Sequence, residues 1–234
     1  MAEPALLQLQ LVNLDRKSPL RDQIYQLVRT LIIIGQLRPG QSVNEVEIAE
    51  QLGVSRTPVR EAVKRLSDEG LINVYAQTGT FVANISRAAL EEAYVIRNAL
   101  EVESVRRAAA KITSLHIEAL EDIIGQHQTA IGRKRYADAI RLDDHFHRSI
   151  AEINDFQMLW RAVDISKAQM DRGRYLALPR PGSGEITIAQ HQAILTALAA
   201  RDEQRAMEAM REHLDTSLRN TLSLIGDILD PPAA

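Results

Sequence analysis

Gly53-Val54-Ser55-Arg56-Thr57-Pro58-Val59-Arg60-Glu61-Ala62-Val63-Lys64-Arg65-Leu66 reads as a helix with two faces. Val59, Ala62, Val63 and Leu66 recur at i, i+3, i+4 and i+7, the spacing of one buried stripe. Arg56, Arg60 and Lys64 are four apart and stack along a neighbouring, outward face. Ser55 or Thr57 can cap the start, and Pro58 is tolerated in a first turn, where its missing N–H has no partner to lose. Gly70 closes the C-terminal end. A short capped helix with one cationic face suits a DNA major groove, where Arg can pair bidentately with guanine and Lys can neutralise phosphate. A solvated surface helix would share the pattern, so the flanks have to separate the two.

Upstream, Ser18-Pro19 predicts a helix start, with Ser18 as N-cap and Pro19 in the first turn, and Leu20, Ile24, Leu27, Val28 and Leu31 keep helical spacing up to Gly35. Arg38-Pro39-Gly40 is a turn. Asn44 is an N-cap with Glu47 placed to bond back to it, and Val43 and Ile48 stand where a hydrophobic staple would put them. That short helix ends at Leu52-Gly53 and runs straight into the basic one, which makes a helix-turn-helix. Downstream, Leu71 to Tyr75 and Thr80 to Ile85 are β-branched and aromatic runs separated by Gln77-Thr78-Gly79, a hairpin. A hairpin in this place is a wing. Its tip at Thr78 and Gly79 can meet DNA, or the hairpin can simply cover the helices. Candidate DNA contacts are therefore Ser55, Arg56, Thr57, Arg60 and Lys64 on the reading helix, Arg38 in the preceding turn, and Thr78 and Gly79.

These motifs resemble the N-terminal domain of GntR-superfamily transcription regulators. The likeness rests on Leu37-Arg38-Pro39-Gly40, Asn44-Glu45, Ala49 through Ala62, Glu69-Gly70-Leu71 and Gly79-Thr80-Phe81-Val82, and covers roughly residues 18–85. It implies a winged helix-turn-helix that binds operator DNA as a homodimer, with the family's DNA-contacting arginines falling on Arg56 and Arg60. Some relatives carry a further DNA-contacting Arg in the middle of the motif's first helix. Here that position is Val46, so operator preference does not transfer.

The bulk numbers are compatible with local DNA recognition. At 234 residues the chain holds one large or two modest domains. High aliphatic content with one Trp and three Phe favours a mostly helical protein. A net charge of −3 argues against coating nucleic acid through bulk charge, but not against one basic face. The absence of Cys excludes disulfides, thiolate metal sites and a Cys nucleophile. Met1 to Leu14 lacks signal-peptide character, and the run Leu31 to Ile34 is far too short to span a bilayer. The expectation is a soluble, cytoplasmic protein without membrane contact: a leader at 1–17, a winged domain at 18–85, a helical domain at 86–229 and a frayed tail at 230–234.

From Ser86 onward only helical periodicity is visible. It predicts an antiparallel bundle of about six helices, roughly 87–110, 114–131, 134–153, 156–177, 185–200 and 203–228. Three of them aim polar groups inward. Asp143 and His147 adjoin the stripe Leu142, Phe146, Ile150 and Ile153. His191 heads Ile194, Leu195 and Leu198, and His213 lies between Met210 and Leu214. Buried imidazole and carboxylate are costly unless paired or metal-bound. Three neutral imidazoles with one carboxylate make a first shell for Zn²⁺, with Ni²⁺ and Mn²⁺ as alternatives. Each His taken singly could be an ordinary hydrogen-bonded core residue, and Asp143 could simply pair with His147 one turn on. His116, His127 and His145 lie on less apolar faces and read as surface residues.

Leu142-Asp143-x-x-Phe146-His147, Gln190-His191-x-x-Ile194 and Met210-x-x-His213-Leu214 resemble the metal-binding pattern of the FCD effector domain, found in the FadR-type branch of the superfamily. The resemblance implies that Asp143, His147, His191 and His213 hold a divalent metal in mid-bundle, and that a small effector, often an organic acid, binds there. Arg97 and Glu101 match the usual Arg and Glu of the first FCD helix. Arg97 could anchor an effector carboxylate or form a salt bridge with Glu101. Ser217 and Asn220 are weaker candidates for lining an effector pocket. The expected function is a metabolite-responsive transcription regulator, more in the manner of a repressor. The rivals are a helical metallohydrolase, for which Glu101 would be the candidate base, and a regulator whose metal is purely structural.

Overall fold

The computed structural model describes residues 13–180 and 182–229, with side chains described as far as residue 223. The tail at 230–234 and most of the leader lie outside the described residues. The chain divides into two compact units, Met1–Ile85 and Ser86–Ala234.

The first unit contains α1 (Leu20–Ile33), α2 (Glu45–Leu52), α3 (Arg56–Asp68), β1 (Ile72–Tyr75) and β2 (Gly79–Val82). Local chemistry sets each boundary. Asn44 accepts from the backbone N–H of Val46 at 3.0 Å and of Glu47 at 3.3 Å, which satisfies donors that a helix start leaves open. At the far end of α3, Gly70 has φ +71°. Its N–H reaches Ser67 O at 3.0 Å and that of Leu71 reaches Leu66 O at 2.9 Å, a Schellman stop. Ser55 holds the N-cap position of α3, but its side chain makes no capping bond. Likewise Pro19, not Ser18, is the N-cap of α1, because the Ser18 hydroxyl donates to Asp15 Oδ2 at 2.6 Å. β1 and β2 pair antiparallel with Ile72 opposite Val82 and Tyr75 opposite Gly79. The segment at 40–43 adds bonds along the outer edge of β2, with Val43 N–H on Thr80 O at 2.8 Å. Val59, Ala62, Val63 and Leu66 of α3 join Ile24, Val28, Ile32, Ile48 and Leu71 in the core.

The second unit is all helix among its described residues: α4 (Arg87–Lys111), α5 (Ser114–Gly132), α6 (Tyr136–Glu152), α7 (Gln157–Ser166), α8 (Ala168–Ala177), α9 (Ser183–Ala199) and α10 (Glu203–Leu229). The whole is thus mainly α, with a winged helix-turn-helix followed by a helical domain. α10 packs on α4, α9 and α8, while α5 packs on α6 and α9. Val105, Leu120, Phe146, Ile150, Ile194, Leu198, Met210 and Leu214 form the apolar centre.

Seven helices stand where the periodicity predicts about six, because 156–177 is broken at Lys167. The Lys167 side chain is 1% exposed, with Nζ 2.7 Å from Asp144 Oδ2, 3.6 Å from Asp164 Oδ1 and paired with Asp171. A buried ammonium is tolerable only among such acids. The one-residue break leaves both flanking segments in helical phase, so periodicity does not register it. Gly173 then brings α8 and α10 together: a Cβ added there would lie 2.0 Å from Thr221 Cγ2.

Candidate nucleic-acid interface and metal centre

α3 places the basic residues according to their phase on the helix. Its apolar stripe is buried, so Arg56, Thr57, Arg60 and Lys64 are driven outward and are exposed, as are Ser55, Arg38, Thr78 and Gly79. Arg56, Arg60 and Lys64 have no acidic partner among the described residues, which leaves their charge available to an external anion. Arg65 is different. Its guanidinium lies 3.6 Å above the centre of the Tyr25 ring and pairs with Asp22 at 3.5 Å and Glu69 at 3.4 Å. It ties α3 to α1. The sequence has four basic residues on this helix, Arg56, Arg60, Lys64 and Arg65, and only packing separates the tether from the rest. Val46, which replaces an expected Arg, is 38% exposed.

The second unit gathers Asp143 and His147 from α6, His191 from α9 and His213 from α10. All four are buried, and one candidate donor atom from each lies within 4.8 Å of the others. His147 Nε2 and His213 Nε2 face each other at 3.1 Å. The opposite ring nitrogens are occupied. His147 Nδ1 is 2.5 Å from Glu101 Oε2, and His213 Nδ1 is 3.2 Å from Gln190 Oε1. Gln190 in turn donates through Nε2 to Thr216 Oγ1 at 3.0 Å, which fixes the amide so that its oxygen accepts from His213. Both imidazoles thus have a polar neighbour at Nδ1 and turn Nε2 toward each other. His191 stacks flat on Phe146, with centroids 4.1 Å apart, and neither of its ring nitrogens makes a hydrogen bond. Its Nε2 lies 3.4 Å from Asp143 Oδ1.

Electrostatics favour the same donor states. Burial pushes His191 below the usual imidazole range and His213 well below it, so both are neutral near pH 7. Burial would raise Asp143, but the Arg174 guanidinium, at 2.5 Å from Oδ1, and the neighbouring imidazoles outweigh it and hold the carboxyl well below its ordinary value. A buried carboxylate with the imidazoles of His147, His191 and His213 gathered around it fits a divalent transition metal, and both His191 nitrogens lack a hydrogen-bond partner among the described residues.

Arg97 and Glu101 are buried one turn apart on α4, joined by a 2.5 Å ion pair. Burial opposes ionisation of Glu101, but Arg97 and then His147 overcome it and bring the carboxyl down to about 2. A carboxylate held in that way orients His147 and is a poor base, which removes the hydrolase's candidate. Ser217 and Asn220 do reach a cavity. With His213, Gln190, Arg174 and Thr221 they line a narrow space of about 30 Å³, room for about two waters or one very small anion. Arg97 and Glu101 are not part of that lining.

His127 is corrected. It is 1% exposed, its ring centroid is 5.5 Å from that of His191, and burial pushes it down to about 4. His145 is exposed, while His116 is half-buried and completes a capping box with Thr113. Sequence reading missed Arg174 and Gln190. Gln190 adjoins His191 and had a readable signal in the Gln-His pair. Arg174 had none, because its partner Asp143 lies on another helix.

A model of the bacterial regulatory proteins of the gntR family matches residues 20–82, and a model of the FCD domain matches residues 92–216. The HTH-type transcriptional repressor RspR of Escherichia coli strain K12 is 37% identical over 202 residues, 86% of this chain and 89% of its own. The probable D-xylose utilization operon transcriptional repressor of Paenarthrobacter nicotinovorans is 30% identical over 215 residues, 91% of this chain and 93% of its own. Among solved structures, E. coli McbR/YncC superposes with a TM-score of 0.78 at 23% identity, covering 89% of this chain and 99% of that one, a likeness of fold. No helix among the described residues is long and apolar enough to cross a membrane. The chain belongs to the gntR family of bacterial regulatory proteins, as a member with a C-terminal FCD domain, and is a DNA-binding transcription regulator, not an enzyme.

Proposed function

We propose that this regulator is a homodimeric repressor that senses a small carboxylate through a divalent metal held by Asp143, His147, His191 and His213. The observation that carries this reading is the pair of Nε2 atoms 3.1 Å apart, with Glu101 and Gln190 beside the opposite nitrogens. Two imidazole nitrogens at this distance share one proton or coordinate one cation between them. The N₃O donor set suits Zn²⁺ first, then Ni²⁺ or Mn²⁺. The bound ion supplies positive charge and open coordination positions for an anionic oxygen. Arg56, Arg60 and Lys64 hold and read the operator, with Ser55, Thr57, Arg38, Thr78 and Gly79 flanking the contact. Ser217 and Asn220 bound the effector cavity, and Arg97 supports it through Glu101 and His147. An effector that binds the free and DNA-bound dimers unequally shifts operator affinity, and a coupling of about 1–3 kcal/mol is ordinary.

Titration of chelator-stripped protein with Zn²⁺ tests the metal reading. One ion per chain is expected, lost in His147→Ala and His213→Ala. Failure of the wild type to bind would refute it. A thermal-shift screen of organic acids with and without chelator tests sensing, because a ligand bound only by the folded form raises apparent stability. A purely structural metal is the second reading, and the tightness of the 30 Å³ cavity favours it. Under that reading, chelation lowers the melting temperature but leaves acid-induced stabilisation unchanged.

A further inference from the structure

Arg174 faces two ways. Its Nη2 lies 2.5 Å from Asp143 Oδ1, where the guanidinium neutralises the one anionic member of the donor set. The same side chain lines the cavity bounded by His213, Gln190, Ser217, Asn220 and Thr221. That cavity contains unmet polar atoms: Ser217 Oγ and Thr221 Oγ1 are buried without a hydrogen-bond partner among the described residues, and Thr221 is fully buried. Arg174 is anchored independently of Asp143, because Nη1 lies 3.5 Å from Asp171 Oδ1, and Asp171 is held by Lys167. Gly173, the preceding residue, lets α8 approach α10 closely enough for this reach.

A cation on Asp143 and a guanidinium on the same carboxylate repel each other in a buried site. We propose that Arg174 is a built-in counter-cation that competes with the metal for Asp143, and that once displaced it becomes the anchor for a carboxylate in the adjoining cavity. Arg174 keeps its hold on Asp171, gives up Asp143, and turns its two-pronged N–H edge toward the cavity, a geometry matched to a carboxylate. Metal occupancy therefore arms the anion site, and by linkage an anion on Arg174 strengthens metal binding. The inference rests on the metal site proposed above.

The experiment titrates full-length protein, wild type and Arg174→Gln, with Co²⁺ followed by its visible absorption, and then with formate as the smallest carboxylate. Arg174→Gln should bind Co²⁺ about tenfold tighter, since the competing cation is gone. Its Co²⁺ form should bind formate about tenfold more weakly than the wild type. Unchanged or weaker Co²⁺ affinity overturns the competition, and equal formate affinity overturns the anchor. If Arg174→Gln does not fold, Arg174→Lys retains a cation for Asp171 but loses the planar fork. It should bind Co²⁺ about as the wild type does, since a competing cation remains, but its Co²⁺ form should bind formate about tenfold more weakly, and wild-type formate affinity in that variant overturns the proposal. If the wild type itself takes up no Co²⁺, the metal reading fails first, an outcome distinct from the others.

Discussion

Alanine at position 173 would test whether the α8–α10 contact sets the geometry of the site. The added Cβ would lie 2.0 Å from Thr221 Cγ2, 3.1 Å from Thr221 Cβ and 3.2 Å from Thr221 Oγ1. Carbon atoms in contact sit at about 3.5–4.0 Å, so the overlap is roughly 1.5–2 Å. Rotating Thr221 moves one branch away and brings another in, and Thr221 is fully buried. The helices must therefore separate. Overpacking of this kind costs about 1–3 kcal/mol, occasionally more. Alanine returns about 1 kcal/mol in helix propensity over glycine. With an overlap this large the cost lies in the upper part of that range, about 2–3 kcal/mol, so the net expectation is a loss of about 1–2 kcal/mol. At about 2–4 °C per kcal/mol for a unit of this size, the melting temperature falls by about 2–8 °C. Thr221→Ser removes Cγ2, so Gly173→Ala with Thr221→Ser should recover most of the loss, a non-additivity read from a double-mutant cycle by urea denaturation. Separation also draws Arg174 away from Asp143, so metal uptake should change in the single variant and revert in the double. A Gly173→Ala protein as stable as wild type, or more so, would refute the close approach and the positioning of Arg174 that follows from it.

On the DNA side, Arg60→Ala should lower operator affinity and specificity together, while Lys64→Ala should mainly reduce the slope of log affinity against log salt by about one, both read by fluorescence anisotropy. Glu101→Gln removes the acceptor charge beside His147 Nδ1 and leaves Arg97 buried without its counter-ion. Metal affinity by calorimetry should fall about 10–100-fold, and an unchanged value would remove Glu101 from the support of His147. Lys167→Met leaves Asp144, Asp164 and Asp171 without their shared cation and should destabilise the helical unit by about 3–5 kcal/mol in urea denaturation.

Much of this was legible because helical and strand periods are local. The stripe Val59, Ala62, Val63 and Leu66 dictates which way Arg56, Arg60 and Lys64 face, and no distant residue is needed to see it. Asn44 and Gly70 mark helix ends by chemistry contained within three residues. Asp143, His147, His191 and His213 were readable singly as polar interruptions of apolar stripes, although they belong to three helices. The break at Lys167 escaped, because the segments on either side of it stay in helical phase. His127 escaped because its burial depends on α5 lying against α6 and α9, not on its immediate neighbours.

Sequence by itself determined most of the elements, the winged motif and, His127 apart, the types of group turned inward, since each follows from spacing along a single helix or hairpin. Tertiary structure decided which groups meet. It paired Arg65 with Tyr25, Asp22 and Glu69 and left Arg60 unpaired. It set Glu101 and Gln190 behind two imidazoles, and it brought Arg174 to Asp143 across two helices. The physical reason is range. Capping and amphipathicity act within a turn or two of the chain, whereas the charge and lone-pair geometry of a buried site arises from atoms 30 or more residues apart, such as Asp143 and Arg174, whose separation only packing sets.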